Sequence, residues 1–328
     1  MTDHTKDITL AWEQHWQEGH LSSLSQDNKS HESRESIEGW NAFFVTLPDN
    51  ASILDVCTGN GIVPALANTF ARDNKKDFKI TGVDQARVDP HSTLKEGKEM
   101  LEAVSFQGGV NVEALPFEDA AFDAVTGQYA IEYSNLEKTI PQIARVLKNG
   151  GKCRFVTHAR EGIIVDHNAP KARQYEYILN ESGVLEALAE AIRLAFDAET
   201  SDRQELQDMS LEARTALRDV AVKTRAKVAE IAQTKEPLIL VENIVRAYIT
   251  RKQFGNYIGF EDWLASVRAQ VQGQVQMIKS FSEVALTRGA LFDLQKLFEA
   301  AGLENIQLGD VQNAAGDVQA WTIEGVKP

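Results

Sequence analysis

The sequence predicts an α/β protein, a doubly wound sheet of mostly parallel strands with helices on both faces, interrupted by a large helical insertion. Two observations lead to this prediction. Short β-rich runs alternate with amphipathic runs through residues 51–157, which is typical of βαβ units. From about 168 to 285 the strand signal vanishes, and apolar residues recur at helical spacing among many Ala, Glu, Arg and Lys.

The elements of the first half can be read in order. The β-rich runs are ASILDVC, FKITGVD, GVNVEAL, FDAVTGQ and GKCRFVTH, and the amphipathic runs between them are IVPALANTFARD, DPHSTLKEGKEMLEAVSF and LEKTIPQIARVL. Ligands of such sheets bind at the carboxyl ends of the strands. We therefore expect the functional residues to follow the β-rich runs.

The insertion and the C-terminal part complete the predicted organisation. Pro237 and the run KQFGNYIGFEDW (252–263) divide the insertion into several helices. After it, LFDLQKLFEAAGLENIQLGDV predicts a helix ended by Gly302 and then a strand, while NAAGD joins that strand to an antiparallel last strand, VQAWTIEGV. The predicted domains are a helical N-terminal cap segment (1–47), an α/β core (48–165 and 286–328) and the helical insertion (166–285).

Composition narrows the classes of function. With 34 basic and 48 acidic residues, the net charge of −14 disfavours nucleic acid as a partner, since binding to a phosphate backbone needs clustered Lys and Arg. Only Cys57 and Cys153 are present, which gives no disulfide framework and no metal-ligand spacing. No signal-like or membrane-spanning apolar run is evident, so we expect a cytoplasmic protein without a membrane partner.

The stretch ILDVCTGNGIVPALAN (53–68) has the pattern of a nucleotide-binding turn. Asp55 ends a strand, Gly59 and Gly61 allow close backbone approach, and the helix that follows offers its positive N-terminal end to a polar ligand. The dinucleotide fingerprint G-x-G-x-x-G fails, because Pro64 stands where its third glycine belongs. A tight turn without any ligand is the alternative.

The spacing D-x-x-x-G-x-G resembles the first motif of the class I S-adenosylmethionine-dependent methyltransferases, usually D-x-G-x-G-x-G. Here Cys57 replaces the first glycine, which is tolerable provided that its backbone is not left-handed. The resemblance implies a Rossmann-like sheet of seven strands with an antiparallel last strand, and S-adenosylmethionine as cofactor. It spans about 51–157 and resumes at 288–326.

Two later stretches support this resemblance. Asp84 ends the strand in ITGVDQA, 29 positions after Asp55, where a carboxylate can accept both hydroxyls of a ribose; an exposed acid at a strand end is the alternative. NVEALPFEDAAFDAV resembles the family's adenine-edge run, with Asn111 in place of the commoner Asp. The resemblance implies these cofactor-binding residues: Asp55, Cys57, Thr58, Gly59, Gly61, Asp84, Gln85, Asn111, Val112 and Gln128.

Methyl transfer from a sulfonium is an in-line displacement, so a base is needed only when the nucleophile carries a proton. His158 follows the fifth strand, near the expected mouth of the pocket, and is the first candidate base. A solvated or merely structural histidine is the alternative. Glu132 and Tyr133 are further candidates for the catalytic site, although AIEYSN equally suits a helix start capped by Ser134.

Aromatic residues predict the rest of the acceptor side. Trp12, His15 and Trp16 share one face of a short helix in LAWEQHWQEGHL, and Tyr129 follows the fourth strand. These residues either line the substrate or pack as ordinary core. The insertion is interpreted as a lid or acceptor-recognition element, or as a homodimer interface.

Together these features predict a methyltransferase that acts on a small-molecule acceptor. Two alternatives stay open at this point: transfer of another group from S-adenosylmethionine or a derivative, and a non-catalytic binding or assembly protein with the same fold. The acceptor and its methylated atom cannot be read from cofactor motifs, because the fold does not fix the second substrate.

Overall fold

A computed structural model describes residues 3–22, 33–232 and 234–328, with no side-chain description for 3–8. Residues 23–32 of the predicted cap segment (1–47) therefore lie outside the described residues. The chain divides into two compact units. The first comprises Met1–Asp166 and Ser280–Pro328, and the second comprises His167–Lys279.

The first unit contains the sheet and the helices that flank it. Its elements follow in chain order: α1 (Asp3–Gln17), α2 (Arg34–Val45), β1 (Ser52–Val56), α3 (Ile62–Asp73), β2 (Lys79–Asp84), α4 (Pro90–Thr93), β3 (Val104–Gly108), β4 (Phe122–Gln128), α5 (Leu136–Val146) and β5 (Leu147–His158). After the second unit come α11 (Arg288–Ala300), β6 (Glu304–Gln312) and β7 (Val318–Val326).

The seven strands form one sheet in the order β3-β2-β1-β4-β5-β7-β6. Strands β1 to β5 pair in parallel, whereas β7 pairs antiparallel with both β5 and β6. The predicted doubly wound sheet with an antiparallel last strand is confirmed. The order reverses between β1 and β4, so the carboxyl ends of these two strands flank the crevice where ligands bind in such sheets.

Two buried clusters hold this sheet between its helical layers. Alternate residues of β1 face opposite sides: Leu54 and Val56 belong to one cluster, and Ile53 belongs to the other. The first cluster includes α5 and α11, whose buried residues include Ile140, Ile143, Leu291 and Leu294. Burial on both faces explains why these strands are apolar runs rather than alternating ones.

Two sequence predictions for residues 89–115 are wrong. The run predicted as a helix over 89–106 forms only the single turn α4 and a 3-10 turn, Lys98–Leu101, because Leu94 is extended and Gly97 is left-handed (φ 81°). The strand predicted at GVNVEAL lies earlier, at β3, where Val104 pairs with Ile80. Residues 112–114 are a 3-10 turn instead.

The second unit is helical. The helices are α6 (Ile163–Asn180), α7 (Val184–Glu199), α8 (Gln204–Ile231), α9 (Lys235–Ile249) and α10 (Tyr257–Val284), of which α6 and α10 extend into the first unit. Gln174 is fully buried and donates to the carbonyl oxygens of Val228 (2.8 Å) and Ala232 (2.7 Å), which holds the end of α8. The lid and dimer roles of this region stay predictions.

A helix that crosses a bilayer must be both long and apolar. Across 3–22, 33–232 and 234–328, no helix is both long and apolar enough to span a membrane.

Candidate functional site

The turn between β1 and α3 has the backbone expected of a ligand-binding turn. Gly59 (φ 52°) and Gly61 (φ 87°) are both left-handed, a conformation that side chains disfavour. Gly61 is the N-cap of α3 and provides no side-chain hydrogen bond to the helix. The first amides of α3 are therefore not capped by a side chain, and an anionic or polar ligand can accept hydrogen bonds from them.

Cys57 departs from the sequence prediction. It was expected to be tolerated on condition that its backbone is not left-handed, and this condition fails, because its φ is 51°. The left-handed region costs a residue with a Cβ atom about 1–2 kcal/mol. The chain therefore keeps the glycine-like conformation of the motif while carrying a strained residue at that position.

Asp84, the predicted ribose acceptor, lies at the carboxyl end of β2 and joins that strand to the turn. Its Oδ2 accepts from the Gly59 amide (2.8 Å) and its Oδ1 accepts from the Ala86 amide (2.8 Å). Burial raises the pKa of Asp84 to about 6, against the opposing effect of these amides. Each carboxylate oxygen has a second lone pair, so a ribose can still donate to both.

Asp55 is buried at the end of β1 and accepts a hydrogen bond from the Thr126 hydroxyl (2.7 Å). Burial raises its pKa to about 7, against the opposing effect of the hydrogen bond from Thr126. Its neighbour Thr58 donates its backbone amide to the Val83 carbonyl (3.0 Å), which ties the turn to β2. These bonds give Asp55 and Thr58 a structural role in the turn.

The predicted adenine-side and methionine-side residues also have internal partners. Asn111 Oδ1 accepts from the Glu113 amide (2.8 Å), which caps the 3-10 turn that contains the buried Val112. Gln128 ends β4, and its Oε1 accepts from the indole of Trp40 (2.7 Å). Gln85 follows β2 directly and is half-buried. Their contacts with the cofactor stay predictions.

Helix α1 lies across the glycine turn. The Trp16 ring packs on Gly59 so closely that a Cβ atom at Gly59 would come within 2.3 Å of it. Glu13 accepts a hydrogen bond from the Arg87 amide (3.0 Å), just beyond β2. His15 is buried, with its ring 4.8 Å from that of Trp16. The N-terminal helix thus covers both strand ends of the predicted cofactor site.

Glu132 and His158 form a buried pair at the ends of β4 and β5. Glu132 Oε1 lies 2.9 Å from His158 Nδ1 and also accepts from the His158 amide (2.8 Å), while Oε2 accepts from the Ala130 amide (2.9 Å). Because a carboxylate only accepts, Nδ1 carries a proton, and in the neutral imidazole the lone pair is then on Nε2. Among the described residues, His158 Nε2 is buried without a hydrogen-bond partner.

Aromatic rings surround this pair. The His158 ring lies 4.4 Å from that of Tyr129 and 5.0 Å from that of Phe281, which is nearly parallel to it. Tyr133 is 6.0 Å from His158 and 5.7 Å from Trp12, so α1 reaches this cluster too. Burial raises the pKa of the Tyr133 phenol. Tyr129 is held in the left-handed region (φ 52°), a strain typical of functional sites.

The placement of His158 corrects one prediction. It was expected near the mouth of a pocket, but its side chain is fully buried, because Tyr129, Tyr133 and Phe281 enclose it. Ser134 does not cap α5 either, since Asn135 accepts from the Lys138 amide at that helix start. The 3-10 turn Ile131–Tyr133 instead directs Glu132 inward.

Two residues of the site were missed from the sequence. Asn60 is fully buried inside the glycine motif, where it stands between Gly59 and Gly61. Phe281 lies near the end of α10, outside the segment that resembles a known family. A polar residue within a buried turn was the only available signal for Asn60, and no signal marked Phe281.

Comparison with known proteins agrees with this geometry. Residues 53–151 match the model of a family described as a methyltransferase domain. The chain is 31% identical over 161 residues to the ubiquinone/menaquinone biosynthesis C-methyltransferase UbiE of Cronobacter sakazakii, covering 45% of this chain and 61% of that protein. It is 33% identical over 122 residues to the uncharacterized methyltransferase YcgJ of Bacillus subtilis, covering 36% of this chain and 42% of the relative.

The matched part thus spans roughly two fifths to three fifths of the length of these relatives. A solved SAM-dependent methyltransferase of Thermotoga maritima is similar over 90% of both chains, at 13% identity and a TM-score of 0.38, which is too low to support an argument. The motif order, the seven-stranded sheet and the family match at 53–151 agree with one another. Residues 53–151 therefore match a methyltransferase domain, and S-adenosylmethionine is the cofactor that this match implies.

Proposed function

We propose that the protein transfers a methyl group from S-adenosylmethionine to a small-molecule acceptor whose nucleophilic atom carries a proton. The observation behind this proposal is the Glu132–His158 pair, in which a buried Nε2 has no partner among the described residues. A buried polar atom without a partner is uncommon and requires an explanation. A proton held by a substrate provides one.

The turn after β1 fits the cofactor. Asp84 provides two carboxylate oxygens for ribose hydroxyls, and the amides at the start of α3 are not capped by a side chain. We propose that Asn111 and Val112 contact the adenine and that Gln128 contacts the methionine part. When bound, S-adenosylmethionine supplies an electrophilic methyl carbon on a sulfonium, which departs as a neutral thioether.

The protein's own residues act on the acceptor. His158 Nε2 accepts the proton of the nucleophilic atom, and the electron pair left behind forms the new bond to the methyl carbon. Glu132 holds the imidazole in the tautomer with Nδ1 protonated and stabilises the imidazolium that results. Tyr129, Tyr133 and Phe281 enclose the ring, so water competes little for Nε2.

We further propose carbon as the methylated atom. A carbon next to a carbonyl must lose its proton before it attacks, and a phenol must lose its hydroxyl proton to activate a ring carbon. A neutral amine can instead attack with its free lone pair, so a positioned base favours a carbon acid or a hydroxyl. The Cronobacter relative is by its name a C-methyltransferase. Together these points favour an acceptor in which a carbonyl makes the neighbouring C–H bond acidic, or in which loss of a phenolic proton makes a ring carbon nucleophilic.

The test is a labelling assay. Purified protein is incubated with S-adenosylmethionine labelled in its methyl group and a panel of hydroquinones, phenols, 1,3-dicarbonyl compounds and amines, and the products are analysed by mass spectrometry and NMR. We expect label on carbon of a hydroquinone or dicarbonyl compound. Label confined to amine nitrogen would contradict the proposal, and transfer of a group other than methyl would favour a different reaction.

A further inference from the structure

A long-range clamp outside the predicted catalytic and cofactor residues joins the glycine turn to α1. Asn60 is fully buried, and its Nδ2 donates to the carbonyl oxygens of Trp16 (2.9 Å) and His20 (2.7 Å). Two carbonyl oxygens can be satisfied only by the NH₂ end of the amide, so the orientation of the side chain is fixed.

The two acceptors lie at the end of α1 and just after it. Carbonyl oxygens in the last turn of a helix have no partner within that helix, so they need donors from elsewhere. The Trp16 carbonyl also accepts from the Gly19 amide (3.2 Å), and Asn60 donates to both carbonyls from within the glycine turn, 44 and 40 positions further along the chain. Thr93 Oγ1 lies 3.5 Å from Asn60 Oδ1, on the remaining side of the amide.

These bonds have a direct consequence for the cofactor site. They hold the last turn of α1 where Trp16 packs on Gly59, and they leave Glu13 in reach of the Arg87 amide beyond β2. One turn earlier on the same helix, Trp12 stacks on Trp16 at 5.5 Å and reaches the ring of Tyr133. One polar side chain therefore sets the position of a helix that touches the cofactor turn and the rings around His158.

We propose that Asn60 is a positioning residue that latches α1 across the cofactor turn, so that Trp16 forms one wall of the cofactor site. Closure of α1 and binding of S-adenosylmethionine then stabilise each other, since a ligand that contacts the closed helix shifts the equilibrium towards it. This inference rests on the cofactor site of the proposed function.

Three variants test the latch. Asn60→Ala removes both donors, and Asn60→Asp keeps the size of the side chain but turns oxygen atoms towards the two carbonyl groups. Asn68→Ala is the matched control, because Asn68 Nδ2 also donates to a backbone carbonyl, that of Met100 (2.9 Å), without contacting α1. Affinity for S-adenosylmethionine is measured by calorimetry, and release of the N-terminal segment is followed by limited trypsin digestion with and without the cofactor.

For Asn60→Ala we expect about tenfold weaker cofactor binding, the effect of two hydrogen bonds. We also expect loss of the protection that the cofactor gives the N-terminal segment against trypsin. Asn60→Asp should weaken cofactor binding and lose the protection at least as strongly. Asn68→Ala should match the wild type in both cofactor affinity and trypsin digestion. Equal behaviour of Asn60→Ala and Asn68→Ala would overturn the latch, as would tighter cofactor binding by Asn60→Ala, which would mean that Trp16 blocks the site.

Failure of the cofactor site itself has a different signature. If the wild-type protein shows no calorimetric binding of S-adenosylmethionine, the proposed function fails, and the latch is then decided by digestion without ligand. In that case faster release of the N-terminal segment from Asn60→Ala than from Asn68→Ala supports the latch, and equal release contradicts it.

Discussion

The turn after β1 and the Glu132–His158 pair use buried polar groups in opposite ways. In the turn, both carboxylate oxygens of Asp84 accept backbone amides, and Asp55 accepts the Thr126 hydroxyl. In the pair, both carboxylate oxygens of Glu132 accept hydrogen bonds, but His158 Nε2 has no partner among the described residues. The turn is thus a self-supporting scaffold that keeps spare lone pairs, whereas the pair leaves one buried nitrogen without a partner, which we propose is satisfied by the proton of an acceptor.

The largest expected effect is on the pair. His158→Ala removes the proposed base, so kcat should fall about 10²–10⁴-fold, the usual contribution of a positioned base. Affinity for S-adenosylmethionine should stay within a few fold of wild type, since His158 is separate from the turn. Steady-state kinetics and calorimetry on the same preparation provide the measurement.

His91→Ala is the control for this prediction, because His91 contacts the Val104 carbonyl and is far from Glu132 in the sequence. A matching loss of kcat in His91→Ala would contradict the assignment of His158 as the base.

The next effect concerns the turn. Asp84→Ala removes two charge-assisted acceptors, so binding of S-adenosylmethionine should weaken about 100-fold or more. In the wild type, ribose hydroxyls need the ionised carboxylate, whose pKa is about 6 in the free protein. Affinity should therefore be constant above pH 6 and fall about tenfold per pH unit below it. Calorimetry across pH 4.5–8 checks both points, and unchanged affinity of Asp84→Ala would exclude the ribose assignment.

Asp55 should affect stability more than chemistry. Its pKa is about 7 in the folded protein against 3.8 for the free side chain, so the folded state holds a proton that the unfolded state has lost. This contribution is fully present below about pH 4 and is lost as the pH rises to 7. In Asp55→Asn that loss should vanish, so the stability of the variant relative to the wild type should rise by on the order of 4 kcal/mol between pH 4 and pH 7.5.

Denaturant unfolding at the two pH values measures this difference. Asp123→Asn is the informative contrast: burial alone would raise the pKa of Asp123, but hydrogen bonds from Lys148 and Ser52 lower it. Its contribution is present above the unfolded pKa and is lost in acid, so Asp123→Asn should cost stability at pH 7.5 and little at pH 3. The same pH dependence in both variants would contradict the assignment for Asp55.

The smallest expected effect is at Cys57. Replacement by glycine relieves a left-handed backbone, a strain of about 1–2 kcal/mol, and part of that gain is offset by the greater freedom of glycine in the unfolded chain. Cys57→Gly should therefore be more stable by less than about 1 kcal/mol, measured by denaturant unfolding. Ala120→Gly, at an exposed residue with φ 53°, is the control for the backbone effect. A clear loss of stability in Cys57→Gly alone would show that the thiol matters.

Much of the fold could be predicted from the sequence because its signals are local. The helix at IVPALANTFARD and the strand at VQAWTIEGV agree with α3 and β7 residue for residue, since a left-handed glycine or a hairpin turn bounds each. The region 89–115 could not, because two apolar runs compete there and pairing of Ile80 with Val104 decides between them. That pairing depends on contacts distant in the sequence.

The candidate site divides in the same way. Asp84 and the glycine turn follow from strand ends and motif spacing. The contact of Glu132 with His158 joins residues 26 positions apart and depends on the 3-10 turn after the left-handed Tyr129, which no local pattern marks. Asn60 likewise gains its role only when α1 folds back over the turn.

The most direct test of the pair is proton exchange without methyl transfer. A carbon-acid acceptor found in the labelling assay is incubated in D₂O with the protein and S-adenosylhomocysteine, and NMR follows deuterium at the nucleophilic carbon. If His158 removes that proton, the wild-type protein accelerates exchange and His158→Ala does not. Equal exchange rates with the two proteins would contradict the central claim that Glu132 and His158 act as the base.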